Sequence, residues 1–502
     1  MNLTSSILYN YMQCPHRVWR DLHGPLEERS VEENPFVELL WQKGVLHEER
    51  VVASLGEYAD LRPGGMDERL NRTTEHMRAG TPLIYQGVLQ HGELLGIPDL
   101  LRLSGGGCYT PMDIKSGLGL EGIDEDIGGG RLKSHYAVQL CLYLEILEKS
   151  GFSAGNSGII LDIRGNEVVY DLDRPRGPRT PAPWTALYEQ IKEEVKLLIN
   201  DSARNTPALS GVCKLCRWYR SCRDWCEAAD DLSMIFCLGR GKRDALNHDL
   251  GVKKVGNFQG VDFESVMDRK KTDRGFLRGM GEKTLRRIAA RAEILSKNKP
   301  PLVYEKIEFP NVETELFFDI EDDPTQDFIY LHGLYRREAS RENFVYFFAV
   351  ECSPEQERNA WAEFWDFMDK YDLSRTAVYF YSAHEKTVYR KLREKYPDVI
   401  SEDKLESFFE HENVIDLYGI VYKNTDWPLS SYSVKDIANY LGFNWRDKSP
   451  SGVLSIQWFN EYLKTQDPGI FQRIIEYNED DCRATMVLKD GLKKLSDAGF
   501  GA

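Results

Sequence analysis

No stretch of this sequence is long and apolar enough to span a bilayer. The first residues, MNLTSSILYNYMQCPHR, lack the basic-then-apolar order of a secretory signal, so export is not expected and a cytoplasmic location is. Internal repeats and low-complexity tracts are missing, which excludes a repeat array. There is no nucleotide-phosphate loop: GMGEKT (279–284) has Glu282 where a Walker motif needs Gly directly before Lys. Any unwinding of nucleic acid would have to come from a partner. Positive charge is scarce overall, 64 Lys/Arg against 80 Asp/Glu, and the net charge of −16 argues against indiscriminate nucleic-acid binding. Ten cysteines in a reducing compartment are not a disulfide framework.

What is present is ordinary globular material: 502 residues, 42% hydrophobic and 29% charged, enough for two or three domains with real cores. Before Ala228 the chain mixes apolar strands with Gly-rich turns. From there to about residue 300 it reads as short basic helices, and between Leu238 and Pro300 there are 16 Lys/Arg against 8 Asp/Glu. SKNKPP (296–301) reads as a linker because paired prolines stop a helix. Strand-like runs follow, ELFFDIE, FIYLHGLY and FVYFFAVE, with helical periodicity between and beyond them. The expected organisation is three α/β or helical segments, 1–228, 229–305 and 306–502.

In the first segment, ELLGIPDLLRL and YTPMDIKSG read as paired strands around a Gly-rich turn. Asp113 and Lys115 then share a strand face, Ile114 points into apolar packing, and Asp99 lies on the preceding strand. Two carboxylates and a lysine converging at a strand end can hold a divalent metal and orient a water. The helical GVLHEE offers His47 as a further ligand, and YAVQLCLYLEIL stacks Gln139 and Tyr143 one turn apart. The order G-x2-H-E, P-D, D-I-K, Q-x3-Y resembles the RecB-like branch of the PD-(D/E)XK nucleases, carried by Gly44, His47, Asp99, Asp113, Lys115, Gln139 and Tyr143. The resemblance implies that fold for residues 1–228 and a Mg²⁺- or Mn²⁺-dependent site in which Asp99, Asp113, Lys115, Gln139 and Tyr143 act, with His47 as an additional metal ligand.

Residues 213–222, CKLCRWYRSC, place three cysteines at C-x2-C-x5-C, one thiolate short of a closed tetrahedral site. Four thiolates suit zinc or an iron–sulfur cluster, and Cys226 is a neighbouring fourth ligand. Iron–sulfur members of the same RecB-like branch carry one cysteine near the N-terminus and three after the nuclease core. Here Cys14 precedes Cys213, Cys216 and Cys222 in that arrangement, so the resemblance implies a structural [4Fe–4S] cluster. It would close a loop of roughly 200 residues and couple cluster binding to folding.

In the last segment, ETELFFDIEDD puts Asp319 and Glu321 on one strand face, and IIEYNEDDCRATMVL puts Tyr477 and Asp481 on one helix face. Glu385 stands just after a strand, at a helix start. Carboxylates from three elements are what a two-metal phosphodiesterase needs. D-x-E followed by a terminal Y-x3-D is similar to the tyrosine variety of the DEDD exonucleases. That implies an RNase H-like (DnaQ-type) fold for 306–502, metal ligation by Asp319, Glu321, Glu385 and Asp481, and an orienting role for Tyr477. That group supplies Asp where Glu385 stands. Asp416 in NVIDLYG competes for the place, although related proteins carry a non-catalytic Asp there.

The middle segment, FLRGMGEKTLRRIAARAEI, resembles half of a helix-hairpin-helix element, with Arg286, Arg287 and Arg291 on or near the face expected to meet a nucleic-acid backbone. Together the three parts resemble RecB-like nucleases with a C-terminal exonuclease domain. The function implied is hydrolysis of DNA, mainly single-stranded or at single-stranded ends, in repair, end processing or defence. RNA as substrate and a helicase or repair partner stay open, as do two alternatives: one active site beside a nucleic-acid-binding scaffold, or a non-enzymatic DNA-binding adaptor.

Overall fold

The computed structural model describes residues 1–30, 35–121, 130–177, 180–273, 275–324, 326–338 and 341–499. The chain divides into two compact units. One comprises Met1–Pro207 with Gly211–Trp225, and the other Cys226–Ala502 with Ala208–Ser210. The basic helical segment belongs to the second unit. Among the described residues no helix is long and apolar enough to cross a membrane.

The first unit is built on a six-stranded mixed sheet, in the order Glu167–Asp171, Ser157–Leu161, Cys108–Ile114, Leu100–Gly105, Leu83–Tyr85, Ala59–Asp60. Leu100–Gly105 and Cys108–Ile114 form the antiparallel hairpin around the Gly-rich turn. Cys108–Ile114 runs parallel to Ser157–Leu161, and a parallel neighbour requires a crossover. The helix Ser134–Lys149 lies within that crossover and is apolar on most sides, with Ala137, Val138, Leu140, Leu142, Ile146 and Leu147 all buried. A helix hydrophobic nearly all round belongs in a core. Asp99 departs from expectation. It lies in the bend just before the strand Leu100–Gly105, and its Oδ2 accepts the N–H of Ile114 at 2.7 Å, so the side chain acts where a strand carbonyl would.

The second unit contains a five-stranded sheet in the order Arg341–Phe348, Phe328–Glu338, Thr314–Asp323, Thr376–Phe380, Val414–Asp416. The first three strands are antiparallel, and the last two run parallel to the central one. The central strand is covered on both faces, which is why ELFFDI reads as a nearly unbroken apolar run. Leu316, Phe318 and Ile320 pack with Trp361, Phe364, Tyr389 and Leu392, from the helices Pro354–Met368 and His384–Lys395. On the other face, Phe317 packs with Leu488 and Leu492 of the terminal helix Pro468–Asp497. Asp319 and Glu321 share the parity of Phe317 and so face the terminal helix.

The basic segment has its own core of Leu238, Leu246, Val255, Phe258, Leu277, Leu285 and Ile288. It is joined to the rest of the second unit through Asp426, which is fully buried. Arg291 Nε lies 2.7 Å from Asp426 Oδ1 and Arg287 Nη2 3.2 Å from it, and Tyr304 donates its hydroxyl to Oδ2 at 2.6 Å. This corrects the reading of Arg291 as a backbone-contacting surface residue: it is 7% exposed, and its guanidinium is committed to a buried carboxylate. Arg287 is engaged in the same cluster, also donating to the carbonyls of Tyr422 and Thr425. Arg286 is exposed and pairs with Glu282 one turn back.

Candidate active sites and metal centres

In the second unit, the strand and the terminal helix bring Asp319, Glu321 and Asp481 together. One oxygen of each lies within 4.8 Å of the others, and this is the one such group of three or more ligand-type side chains among the described residues. Asn478, one helical turn from Asp481, holds the arrangement: its Nδ2 donates to Asp319 Oδ2 at 2.8 Å and to Glu321 Oε1 at 3.4 Å. Room for Asn478 comes from Gly333, the cross-strand partner of Asp319. A Cβ there would lie 1.7 Å from Asn478 Oδ1. Trp445 Nε1 donates to Asp481 Oδ1 at 2.7 Å.

Burial and mutual repulsion oppose charge on all three carboxylates. Burial, with Asp481 next, pushes Glu321 up to about 8. Burial, then Asp481, Glu321 and Glu385, raises Asp319 well above the carboxylate range. Burial also raises Asp481, with Lys435 opposing. Three crowded, buried carboxylates cannot all ionise without positive charge among them, and a divalent metal supplies it. The donor set therefore fits Mg²⁺ or Mn²⁺: oxygen ligands only, close together and partly prefixed.

Glu385 is the second residue of the helix His384–Lys395. It is 4% exposed, its Oε2 has no partner among the described residues, and its charge acts on Asp319. Burial pushes it up to about 8. Asp416 is engaged differently: it caps the helix Leu417–Asn424, its Oδ1 accepting from Tyr418 N and Ser382 N at 2.9 Å each. Tyr477 is buried, with its hydroxyl 2.5 Å from Lys435 Nζ. Lys435, Asn478, Gly333 and Trp445 were not singled out in the sequence. Only Asn478 carried a usable signal, one turn before Asp481 and next to Tyr477.

In the first unit, Lys115 Nζ lies 2.8 Å from Asp113 Oδ2, and Asp113 Oδ1 accepts the Asp99 N–H at 3.4 Å. Gln86 Nε2 bridges Asp99 Oδ1 at 3.0 Å and Glu48 Oε1 at 2.8 Å. Glu48, beside His47 on the helix Pro35–Ser54, is thus a further carboxylate that sequence reasoning passed over. Burial and the neighbouring Asp113 push Asp99 up to about 8. Burial works against the Lys115 charge, but Asp113 and Asp99 outweigh it and raise its pKa. Tyr143 is buried against Gly96, where a Cβ would lie 2.6 Å from the ring, and Asp113 is among the charges that act on it. Gln139 is buried, with Oε1 unpartnered among the described residues. His47 is turned to Asp162, at the end of the strand Ser157–Leu161; burial, then Arg50, lowers its pKa. The described residues do not draw His47, Asp99 and Asp113 within 4.8 Å of one another. Lys115 pairs with Asp113 beside Asp99, and the three candidate ligands do not close into one group of that size among the described residues.

The same unit also gathers the four cysteines. Cys14 is the junction residue between the helices Ser5–Gln13 and Pro15–His23, with extended backbone that turns the chain. The second helix docks on the CKLCRWYRSC segment: Arg20 lies over the Trp218 ring at 4.4 Å, and Trp218 Nε1 donates to Asp21 Oδ1 at 2.7 Å. Burial pushes the Cys222 thiol up to about 12, and Cys216, Cys14 and Cys213 all add to the rise. Cys216 is raised by burial too, with Cys14 and Cys213 adding. The four thiols are therefore mutual neighbours, although no three sulfurs lie within 4.8 Å. Cys226, the other fourth-ligand candidate, belongs to the second unit, where Ser233 Oγ lies 3.7 Å from its sulfur.

A central strand bearing D-x-E, a five-stranded sheet with two parallel additions and a long helix closing an acidic cluster define an RNase H-like domain. Residues 316–493 match the family model of the RNase H superfamily. The match places a metal-dependent, nuclease-type fold at the C-terminal part of the chain. No curated protein matches the sequence.

Proposed function

We propose that the protein is a metal-dependent DNA nuclease with two hydrolytic sites, whose C-terminal site is a 3′→5′ exonuclease. The observation that carries this reading is the convergence of Asp319, Glu321 and Asp481 within an RNase H-like domain. Divalent metal held there would supply charge stabilisation and an activated water. Asp319, Glu321, Asp481 and Glu385 bind it, Asn478 keeps the first two carboxylates in register, and Tyr477 orients the attacked group. The second site rests on Asp99, Asp113 and Lys115, where Lys115 is poised to stabilise charge on a phosphate oxygen and Gln139 and Tyr143 line the adjacent helix. Its reading as a PD-(D/E)XK nuclease is supported by a hairpin followed by a helix-containing crossover to a parallel strand. A [4Fe–4S] cluster on Cys14, Cys213, Cys216 and Cys222 is supported by the gathering of these four thiols, which act on one another's ionisation. Its role is structural, tying the first helices to the end of the unit.

The test is digestion of 5′- and 3′-labelled single strands, duplexes and RNA with Mg²⁺ or Mn²⁺. Stepwise loss of 3′ nucleotides from DNA, absent in Asp319→Ala, is the expected result. Absent cleavage with DNA binding intact would leave an adaptor, and metal-independent cleavage would refute the metal-dependent reading.

A further inference from the structure

The exonuclease-type site contains one cation that the carboxylates did not lead us to expect. Lys435, on the short helix Val434–Tyr440, reaches into the acidic cluster. Its Nζ lies 2.5 Å from the Tyr477 hydroxyl oxygen and 3.6 Å from Asp481 Oδ2. The ammonium also sits 4.5 Å from the Tyr477 ring centre and 5.7 Å from that of Trp445, the residue that binds the other oxygen of Asp481. Its charge reaches Asp319 and Glu321 as well.

A fixed positive charge here opposes an incoming dication, since like charges a few ångströms apart repel strongly where water is excluded. A lysine kept in this place needs another use, and Tyr477 provides it. A phenol has one proton to donate and lone pairs to receive. With the ammonium donating into the oxygen, the Tyr477 proton is turned toward the Asp481 side, where the two groups are hydrogen-bonded. Without Lys435, the hydroxyl would lose one of the two groups that fix its direction.

We propose that Lys435 is a positioning residue for Tyr477, orienting its hydroxyl toward the reacting groups while weakening the site's hold on divalent metal. The proposal rests on the exonuclease reading above. It predicts two opposite effects of one substitution. Lys435→Met, which keeps the aliphatic stem over the ring, should lower kcat about 100-fold, the scale of losing one preorganised hydrogen-bond donor. KM for the DNA should be nearly unchanged. The same substitution should bind Mn²⁺ about 10-fold more tightly in calorimetry, because the opposing charge is gone. Lys435→Arg should recover most of the activity. In a Tyr477→Phe background, Lys435→Met should change kcat by no more than about 2-fold, since it acts through a hydroxyl that is no longer there.

A full loss of kcat on top of Tyr477→Phe would overturn the proposal, as would unchanged Mn²⁺ affinity. If the unsubstituted protein and Asp319→Ala are equally inactive, the exonuclease reading fails by itself. The Mn²⁺ titration then decides the role of Lys435: tighter binding by Lys435→Met upholds its opposition to metal, and equal binding refutes it. Should Lys435→Met not fold, Lys435→Gln, which keeps an N–H and loses the charge, must tighten Mn²⁺ binding in its place.

Discussion

Ser382 holds a φ of 111°, a backbone conformation that costs a serine about 1–3 kcal/mol, and its N–H is taken by Asp416. Three residues further on stands Glu385. Asp416 clamps that turn and Glu385 is the proposed further ligand, and substitution separates the two roles. Glu385→Gln should abolish most metal-dependent 3′-end release, because the amide cannot replace an anionic ligand. Asp416→Asn should be nearly silent, because its Oδ1 still accepts both N–H groups, whereas Asp416→Ala should lose activity by releasing the turn. Rates that fall for Asn as steeply as for Ala would make Asp416 a ligand. A second residue-scale effect concerns His332, buried on the neighbouring strand with Nδ1 2.7 Å from the Tyr389 hydroxyl. Burial pushes its pKa down to about 3. The unfolded chain takes up a proton near pH 6.5 and the folded one does not. Stability is thus complete above pH 6.5 and declines as pH falls toward 3, by about 2 kcal/mol at pH 5 from this group alone. Urea midpoints at pH 7.5 and 5 should differ less for His332→Gln than for the unsubstituted protein.

The strand Phe328–Glu338 and the terminal helix meet through a missing side chain. Gly333→Ala would drive a methyl into Asn478, so the helix must shift or Asn478 must leave its two carboxylates. A cost of about 1–3 kcal/mol is expected, with weaker Mn²⁺ binding, read by thermal melts with and without the metal. The junction at Cys14 is the corresponding element in the first unit. Cys14→Ala should yield anaerobically purified protein without the brown colour and the four-to-four iron and sulfide content of a [4Fe–4S] cluster, whereas a colourless unsubstituted protein containing zinc would refute the cluster. Much of this was legible in the sequence, because short spacings translate directly into shared faces. Asp319 with Glu321, Tyr477 with Asp481 and Asp113 with Lys115 are all of that kind. What lay hidden depends on register and packing. Gly333 matters because it pairs with Asp319, Glu48 because Gln86 links it to Asp99, and Lys435 because its helix folds back on the terminal one. Charge counting failed at Arg291 for a related reason: a sequence shows a cation but not the buried Asp426 that takes it.

At the scale of the whole molecule, the question is division of labour. Asp99, Asp113 and Lys115 belong to one compact unit, and Asp319, Glu321 and Asp481 to the other, with no ligand in common. Removing a metal-binding carboxylate abolishes the chemistry of its own site, since charge stabilisation and water activation are lost together. Sites without shared ligands should respond independently. Asp113→Ala should therefore erase one set of products and Asp319→Ala another, and the double variant should be inert while still binding DNA. Label position should tell them apart, since the proposed C-terminal exonuclease would release nucleotides from 3′ ends. The two assembled clusters differ in a way that sharpens the expectation. The C-terminal group sets three carboxylates, with oxygens within 4.8 Å, against one lysine, Lys435, while the N-terminal group sets the acidic pair Asp99 and Asp113 against Lys115. The site with more uncompensated negative charge should bind the dication more tightly. Titrating Mn²⁺ should then bring on 3′-end release at lower metal concentration than the Asp113-dependent cleavage, and the reverse order would contradict this ranking of the two sites.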